Sequence, residues 1–401
     1  MASMQSISAF RGNVILPAEV LPEGVVVVND GRIVAVGPER DVRIPVGAQV
    51  VDSQDGYISP GFVDIHTHGG AGSDYMDGAV DAVRNANRAH ARHGTTTVFP
   101  TTASGTPAQL TGMLDAVEQF AGRWSVTDGA RVGGVHWYGP YFASDKIGAH
   151  PKGYERHPDP AEYGPALARG IIKSATCAAE LPGAVEFCRS AKAAGCLVTC
   201  GHSNASWPEM AAVYDVGLRH VDHFWDAMSS TESIRKRLGS PQRGSMAEFV
   251  LYHPEMSTEV IADGFHHGPE MLQFAYRMIG ERRLCLVSDC TRALDTSPGV
   301  YRIGHHETGE PFENNGSVGV LPGSNILAGS ISPLEHMVRT MNRDTDAPLA
   351  DIIRMASLTP AERTGVAHDR GSLEAGKLAD IVILSRDLHT RRCFLEGVEF
   401  M

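Results

Sequence analysis

Apolar runs broken by short polar turns dominate both ends of the chain. Near the N-terminus, "VVVVNDGRIVAVG" is an apolar run, an Asn-Asp-Gly turn and a second apolar run, which is the pattern of a β-hairpin. The C-terminal segments "GSLEAGKLADIVILSRD" and "TRRCFLEGVEF" have the same texture, with turns at Gly and Asp. The pattern predicts one small β-sandwich domain built from both termini, residues 1–60 and 365–401.

The middle of the chain alternates between short apolar strands and helical stretches. Examples of the helix-then-strand order are "DAVRNANRAHARHG" before "TTTVFPTT", "PGAVEFCRSAKAAG" before "CLVTCGHS", and "PEMLQFAYRMIG" before "RLCLVSDCT". Each of these helices ends at Gly, the expected stop signal. Such repeated units indicate an α/β fold with a parallel sheet, and we expect a (β/α)8 TIM-like barrel over residues 61–364. A doubly wound sheet is the second candidate.

Composition and charge narrow the class of protein. The chain has 401 residues, 42% of them hydrophobic and 20% charged, as in ordinary globular proteins. Its formal net charge of -12 argues against a nucleic-acid or anionic-membrane partner, because phosphate groups demand clustered Lys and Arg. The N-terminus shows no signal-peptide pattern and the chain no long apolar run, so we expect a cytoplasmic protein. The seven cysteines form no CxxC pair, and we expect mostly buried free thiols.

Candidate metal ligands follow the apolar strands of the middle region. His66 and His68 come at the end of "GFVDI", and the alternation of strand side chains puts both imidazoles on one face. His202 follows "CLVTCG", His223 follows "LRHVD", and Asp289 follows "LCLVS". Each has a structural interpretation when taken alone, since histidines pack in cores and Asp caps helices. Together they lie at the carboxyl ends of four strands, where the active sites of barrels are built.

The ligand types indicate the chemistry of this site. Neutral imidazole and carboxylate suit zinc or iron, and manganese and cobalt are also accepted. A divalent ion with an open coordination position generates a hydroxide nucleophile at neutral pH. The sequence therefore predicts a hydrolytic metal centre, with one zinc ion as the first candidate.

The ordered segments resemble the N-acetylglucosamine-6-phosphate deacetylase family of the amidohydrolase superfamily over nearly the whole chain. The matching segments are "PGFVDIHTHGG", "GPYFASDKIGAHP", "AELPGAVEF", "GHSNAS", "DHFWDAM", "IADGFHH", "LVSDCT", "LAGSISPLEHMVR" and "GSLEAGKLADIVIL". The resemblance implies hydrolysis of the acetyl group of a small N-acyl amino sugar, with Asp289 taking a proton from the attacking water and passing it to the leaving amine. It also implies that His266 contacts substrate, that His267 is turned away, that His150 lies on a substrate-side loop, and that the protein is a homodimer.

One departure from the family pattern affects the metal centre. The family's third strand ends in a metal-binding glutamate before "GP", whereas this chain has Tyr138. Three arrangements stay open: one metal with His223 left to orient substrate or water, which we favour; ligation by a Tyr138 phenolate; or a degraded site. The ligands in the favoured arrangement are His66, His68, His202 and Asp289.

A second departure affects the substrate. Asp226 precedes Ala227 in "DHFWDAM", where the family usually carries an asparagine near the sugar phosphate. A carboxylate facing a phosphate dianion is repelled unless it is neutralised. The segment "SIRKRLGSPQRG" is compatible with two interpretations. Arg235 or its basic neighbours could bind the phosphate, or the segment could be a solvated charge run. Alternative functions are therefore deacetylation or deamination of a different, unphosphorylated molecule, and a catalytically silent sugar-binding homologue.

Overall fold

The computed structural model describes residues 7–401, which form a terminal β-sheet and a barrel of parallel strands. The strands are β1 (Ile7–Ile15), β2 (Val20–Asn29), β3 (Arg32–Pro38), β4 (Gln49–Pro60), β5 (Phe62–Thr67), β6 (Gly69–Gly70), β7 (Ser73–Asp74), β8 (Thr95–Pro100), β9 (Arg131–Val132), β10 (Val135–Trp137), β11 (Ile172–Thr176), β12 (Leu197–Cys200), β13 (Leu218–Val221), β14 (Ser257–Val260), β15 (Leu284–Leu286), β16 (Gly299–Ile303), β17 (Glu310–Asn314), β18 (Gly319–Val320), β19 (Ile381–Leu384), β20 (Thr390–Leu395) and β21 (Val398–Phe400).

The α-helices lie mainly between the barrel strands. They are α1 (Val80–Arg92), α2 (Pro107–Ala121), α3 (Pro160–Ala168), α4 (Ala184–Ala193), α5 (Trp207–Val216), α6 (Thr231–Leu238), α7 (Met246–Tyr252), α8 (Pro269–Ile279), α9 (Leu334–Asp344), α10 (Leu349–Ala356) and α11 (Leu358–Arg363). Three single-turn 3-10 helices cover Tyr75–Asp77, Val126–Asp128 and Ser144–Lys146. None of the helices within residues 7–401 combines the length and the apolar character that crossing a membrane requires.

Strands from both ends of the chain form one seven-stranded sheet in the order β21-β20-β19-β4-β1-β2-β3. The predicted β2–β3 hairpin is present: Asn29 pairs with Arg32 across the two-residue turn Asp30-Gly31, in which both φ angles are positive. Phe10 in β1 packs edge-on against Phe394 in β20, with ring centroids 4.8 Å apart. The sheet therefore folds over on itself and encloses a core, as the sandwich prediction required.

Eight parallel strand positions close into a barrel, with β9 and β10 forming one of them around Gly133 and Gly134. The six strands β10 to β15 are paired in sequence order. The ring is closed between its last and first strands where the backbone N–H of Asp289 donates to the carbonyl of His66 at 2.9 Å. Closure confirms the barrel and excludes the open doubly wound sheet.

An insertion after β15 covers one side of the barrel's carboxyl end. Strands β16, β17 and β18 form a small antiparallel sheet, with a core around Phe312 and Ile303. Residues of this insertion, including Ile303 and Leu327, line the cavity at the barrel mouth. All seven cysteines are buried and free, as expected from the sequence.

Candidate metal centre

The five predicted ligand residues converge at the carboxyl end of the barrel. His66 is the penultimate residue of β5 and His68 follows that strand, while His202, His223 and Asp289 lie in the loops just after β12, β13 and β15. All five are buried. Except for His66, which lies beneath its floor, they line a cavity of about 450 Å³. The alternation of β5 side chains and the convergence of barrel strands thus bring together residues that are far apart in the sequence.

Three side chains form a close group that fits a divalent ion. Nε2 of His68 lies 3.3 Å and Nε2 of His66 lies 3.7 Å from the same oxygen, Oδ1 of Asp289. One ligand atom from each residue lies within 4.8 Å of the others. Nε2 of His66 is buried and has no hydrogen-bond partner in the described chain, which is the state expected of a nitrogen reserved for a metal. Two imidazoles and a carboxylate are suitable ligands for such an ion.

The electrostatics of this group suit a cation. Burial raises the pKa of Asp289, but its hydrogen bond to His68 and the charge of His66 outweigh burial, so the pKa of this carboxyl is well below its usual range. Burial lowers the pKa of His66, but the Glu259 carboxylate beside it has the opposite effect and raises the pKa to about 9. Metal binding to His66 would therefore displace a proton.

Tyr138, which the sequence predicts at the position of the family's metal-binding glutamate, faces the histidines of the site. Its ring centroid lies 4.4 Å from that of His66, and its hydroxyl makes a short contact with Nε2 of His223. Nδ1 of His223 donates to the carbonyl of Asp226 at 3.0 Å, so Nε2 is the acceptor and Tyr138 is the donor. Burial, and then the carboxylates of Asp222 and Asp289, hold the pKa of Tyr138 well above its usual value. The phenol is therefore neutral in the protein alone.

His202 is held from its other side. Its Nδ1 donates to the carbonyl of Lys146 at 2.6 Å, which leaves the Nε2 lone pair free. Burial and the neighbouring His223 lower the pKa of His202 well below the usual range, so the ring is neutral. Neither His202 nor His223 belongs to the close group formed by His66, His68 and Asp289.

The backbone is strained where the site residues emerge from the strands. His202, His223 and Asp289 have φ angles of 46°, 23° and 46°, in the region that disfavours residues other than glycine. Ala227, in the same loop as His223, has a φ of 47°. Strain concentrated at one end of the barrel is typical of functional sites, where surrounding contacts hold side chains in required directions.

Two histidines predicted to contact substrate line the cavity. His150 lines the cavity, 4.7 Å from the ring of His202, and burial lowers its pKa well below the usual range. His266 also lines it, and its Nδ1 lies 2.9 Å from Oδ2 of Asp263. Burial lowers the pKa of His266, but the Asp263 contact outweighs burial and raises the pKa to about 9.

The structure separates Asp226 from Arg235. Asp226 and Ala227 line the cavity, and Oδ2 of Asp226 lies 3.2 Å from Nε2 of His267, which is not a lining residue. Arg235 is exposed on α6 and does not line the cavity, which agrees with the solvated charge run, one of the two interpretations that the sequence left open. The helical period explains the difference, because it points Ile234 inward and turns Arg235 to the surface.

Sequence reasoning missed a buried polar layer beneath the cavity. Glu259 in β14 contacts His66, and three further residues lie close by in adjacent strands or at their ends: His136, His220 and Asp222. Opposing charges hold this layer together: burial raises the pKa of Glu259, but His66 and His220 outweigh burial and lower the pKa well below the usual range. A charged residue inside the short predicted strand segment "STEV" was the available signal.

Comparisons with known proteins agree with this geometry. The amidohydrolase family model matches residues 57–398, and the chain belongs to that family. It is 30% identical to an N-acetylglucosamine-6-phosphate deacetylase of Bacillus subtilis, covering 92% of this chain and 90% of that protein. It is 31% identical to an N-acetylgalactosamine-6-phosphate deacetylase of Escherichia coli, covering 92% of each.

The fold comparison extends to a structure with a bound sugar. The N-acetyl-D-glucosamine-6-phosphate deacetylase of Mycobacterium smegmatis, as a mutant in complex with N-acetyl-D-glucosamine-6-phosphate, matches with a TM-score of 0.88 at 26% identity. The match covers 98% of this chain and 99% of that one. The family and fold expected from the sequence are both confirmed.

Proposed function

We propose that the protein hydrolyses the N-acetyl group of an amino sugar resembling N-acetylglucosamine 6-phosphate and releases acetate and the free amine. The observation that carries this proposal is the buried group of His66, His68 and Asp289 at the cavity of a chain that shares its family with such deacetylases. A bound divalent ion would supply a Lewis acid and a water molecule of lowered pKa. Zinc is the first candidate, with iron, manganese and cobalt as alternatives.

We assign the metal to a one-ion arrangement held by His66, His68, His202 and Asp289. Nε2 of His202 is unprotonated and available, whereas Nε2 of His223 is already bound by the Tyr138 hydroxyl. This pairing supports the arrangement that leaves His223 to orient substrate or water. It also makes a phenolate ligand unfavourable, because the phenol keeps its proton and donates a hydrogen bond to the imidazole.

The remaining chemistry is assigned to groups of the chain itself. Asp289 is ionised, so it can accept a proton from the attacking water and pass it to the leaving amine. His266 is held by Asp263 through Nδ1, which directs its other N–H towards a substrate carbonyl oxygen in the cavity. His150, Asp226, Ala227 and Tyr138 complete the proposed substrate contacts.

The charges that line the cavity favour a second candidate substrate. Lys146 is its single lysine or arginine, and the His266 cation is already paired with the Asp263 carboxylate, whereas Asp145 and Asp226 are carboxylates outside the group of His66, His68 and Asp289. Repulsion between these carboxylates and a phosphate dianion disfavours a phosphorylated sugar unless a partner subunit supplies cations. An unphosphorylated N-acyl compound is therefore the alternative, and a one-metal site also permits hydrolytic deamination.

We propose a homodimer in the cytoplasm. Phe265, Phe274 and Met278 are 51%, 43% and 49% exposed beside the barrel mouth, and Trp225 packs 6.0 Å from Phe274. A second copy of the chain would cover this apolar patch. Seven free thiols suit a reducing compartment.

We also propose that the chain has two domains, a small β-sandwich domain of residues 1–60 with 365–401 and a barrel domain of residues 61–364.

Product analysis tests the proposed function. Metal-reconstituted protein is incubated with N-acetylglucosamine 6-phosphate, N-acetylglucosamine and an amino-substituted heterocycle, and acetate and ammonia are measured. Acetate release from either sugar supports deacetylation, and the ratio of the two rates identifies the preferred substrate. Ammonia release alone would replace deacetylation with deamination, and release of neither product would support the silent homologue.

A further inference from the structure

Glu259 is a fully buried carboxylate that contacts His66, His220 and the backbone of His223. It lies in the middle of β14 and is 1% exposed. Its Oε1 makes a short contact with Nδ1 of His66 and accepts the backbone N–H of His223 at 3.2 Å. Its Oε2 lies 3.4 Å from Nε2 of His220. One side chain thus holds a candidate metal ligand and the strained backbone of the histidine that pairs with Tyr138.

The contact with His66 fixes which ring nitrogen faces the cluster. A carboxylate accepts hydrogen bonds, so it keeps a proton on Nδ1 of His66. Nε2 is then the nitrogen directed towards Asp289, 3.7 Å away, and it has no other partner in the described chain. Without Glu259, the imidazole of His66 would no longer be held in this orientation, and its proton would no longer be fixed on Nδ1.

The layer around Glu259 is a hydrogen-bonded support rather than an inner metal site. His66, Asp222 and Glu259 bring three possible ligand atoms within 4.8 Å, but His66 and Glu259 are in direct contact, which leaves no room for an ion between them. Thr176 and Thr199 donate to Asp222 at 2.9 and 3.2 Å. A buried charge costs stability that a well-packed apolar residue would not, so a role beyond packing is expected.

We propose that Glu259 is a positioning residue that orients His66 for metal binding and anchors the His223 loop. The proposal rests on the proposed function only in taking His66 as a metal ligand. Partners that orient ligand histidines typically contribute about 10- to 100-fold in metal affinity. In this chain a carboxylate one layer below the cavity thus supports the metal centre that lacks a carboxylate at position 138.

Chelator competition with cobalt or zinc tests the proposal without measuring turnover. The variants are Glu259→Gln, which keeps the volume but loses the charge, and Glu259→Leu, which also loses the acceptor. Ser257→Ala is the matched control, because Ser257 lies on the same strand and contacts His220 at 2.7 Å but not His66. We expect roughly 10-fold weaker metal binding for Gln, up to about 100-fold for Leu, and wild-type affinity for the control.

The visible spectrum of the cobalt-loaded protein provides a second measurement. A shift of its bands in Glu259→Gln is expected, because the orientation of a ligand ring changes the coordination geometry. Folded variants with wild-type affinity and spectrum would overturn the proposal and leave Glu259 a purely structural residue. If Glu259→Leu does not fold, Glu259→Gln alone decides. If the Glu259 variants bind metal more weakly but the wild type releases no acetate, the positioning role stands and only the proposed function is refuted.

Discussion

The hydroxyl of Tyr138 donates to Nε2 of His223, whose Nδ1 donates to the carbonyl of Asp226 at 3.0 Å. At the position where the family resemblance predicts a metal-binding glutamate, this chain has a phenol that makes a neutral hydrogen bond, and both ring nitrogens of His223 have partners. This pairing engages Nε2 of His223 and leaves His66, His68 and Asp289 as the close group of candidate ligands, with His202 as the proposed fourth ligand.

Tyr138→Phe removes only the donor. The variant should lose about 1 kcal/mol or more of folding free energy, because Nε2 of His223 is left unpaired. Its metal affinity should not fall, since Tyr138 is not a ligand in the one-ion arrangement. Thermal unfolding and metal titration measure the two effects. Tyr141→Phe is the control: it removes a hydroxyl bonded to Glu162 at 2.9 Å. A large loss of metal from Tyr138→Phe would instead indicate phenolate ligation.

Tyr138→Glu should restore a carboxylate beside the cluster. We expect tighter metal binding and a higher metal content than in the wild type, because His223 is released and a negative ligand is added. Elemental mass spectrometry and the rate of acetate release provide the measurements. If metal content and rate do not respond, position 138 does not serve the metal.

Asp289→Asn should leave the fold largely intact and, at saturating metal concentration, keep an ion that the neutral amide holds more weakly, yet reduce turnover by about 100-fold or more, because the amide cannot accept the proton of the attacking water. The initial rate of acetate release measures the effect, with circular dichroism and metal content as controls. Unchanged turnover would refute the proton-transfer role.

Asp226→Asn should improve the use of phosphorylated substrate. Removing one carboxylate from the cavity relieves repulsion worth about 1 kcal/mol for unit charges about 4 Å apart in water, so kcat/KM for N-acetylglucosamine 6-phosphate should rise about fivefold. The value for unphosphorylated N-acetylglucosamine should change little. Equal changes for both sugars would show that Asp226 acts on a common part of the substrate.

His93 links stability to pH away from the site. Burial lowers its pKa, but Asp295 and Glu335 outweigh burial and raise the pKa from 6.5 to about 9. Because the folded protein binds this proton more tightly than the unfolded chain, His93 contributes its full stabilisation of the fold below pH 6.5. This contribution is lost as the pH rises through 9. The loss should amount to at most about 3 kcal/mol.

Denaturant unfolding at several pH values tests this link. His93→Gln should be less stable than the wild type at pH 6, and the difference should shrink by pH 10. The exposed His368 provides the control, because His368→Gln should leave the profile unchanged. A difference between His93→Gln and wild type that is independent of pH would contradict the account.

The sequence predicted the parts of the site that depend on periodicity. Strand alternation placed His66 and His68 on one face, and barrel convergence brought His202, His223 and Asp289 to the same cavity. These inferences need only the geometry of strands and the direction of the barrel.

The sequence did not reveal contacts that depend on packing between strands. The pairing of Glu259 with His66 joins residues 193 positions apart, and only the barrel register brings them together. The hydrogen bond from Tyr138 to His223 depends on rotamer and tautomer, which a sequence does not specify. The sequence also left the role of Arg235 open, because a basic cluster does not by itself indicate which face of its helix is exposed.

Metal content per chain is the most direct test of the proposed one-ion metal centre. Elemental mass spectrometry of the reconstituted protein should give about one divalent ion per chain, and His66→Ala with His68→Ala should remove it. Two ions per chain in the wild type would contradict the one-ion arrangement proposed for His66, His68, His202 and Asp289. No ion after reconstitution would contradict the metal centre itself.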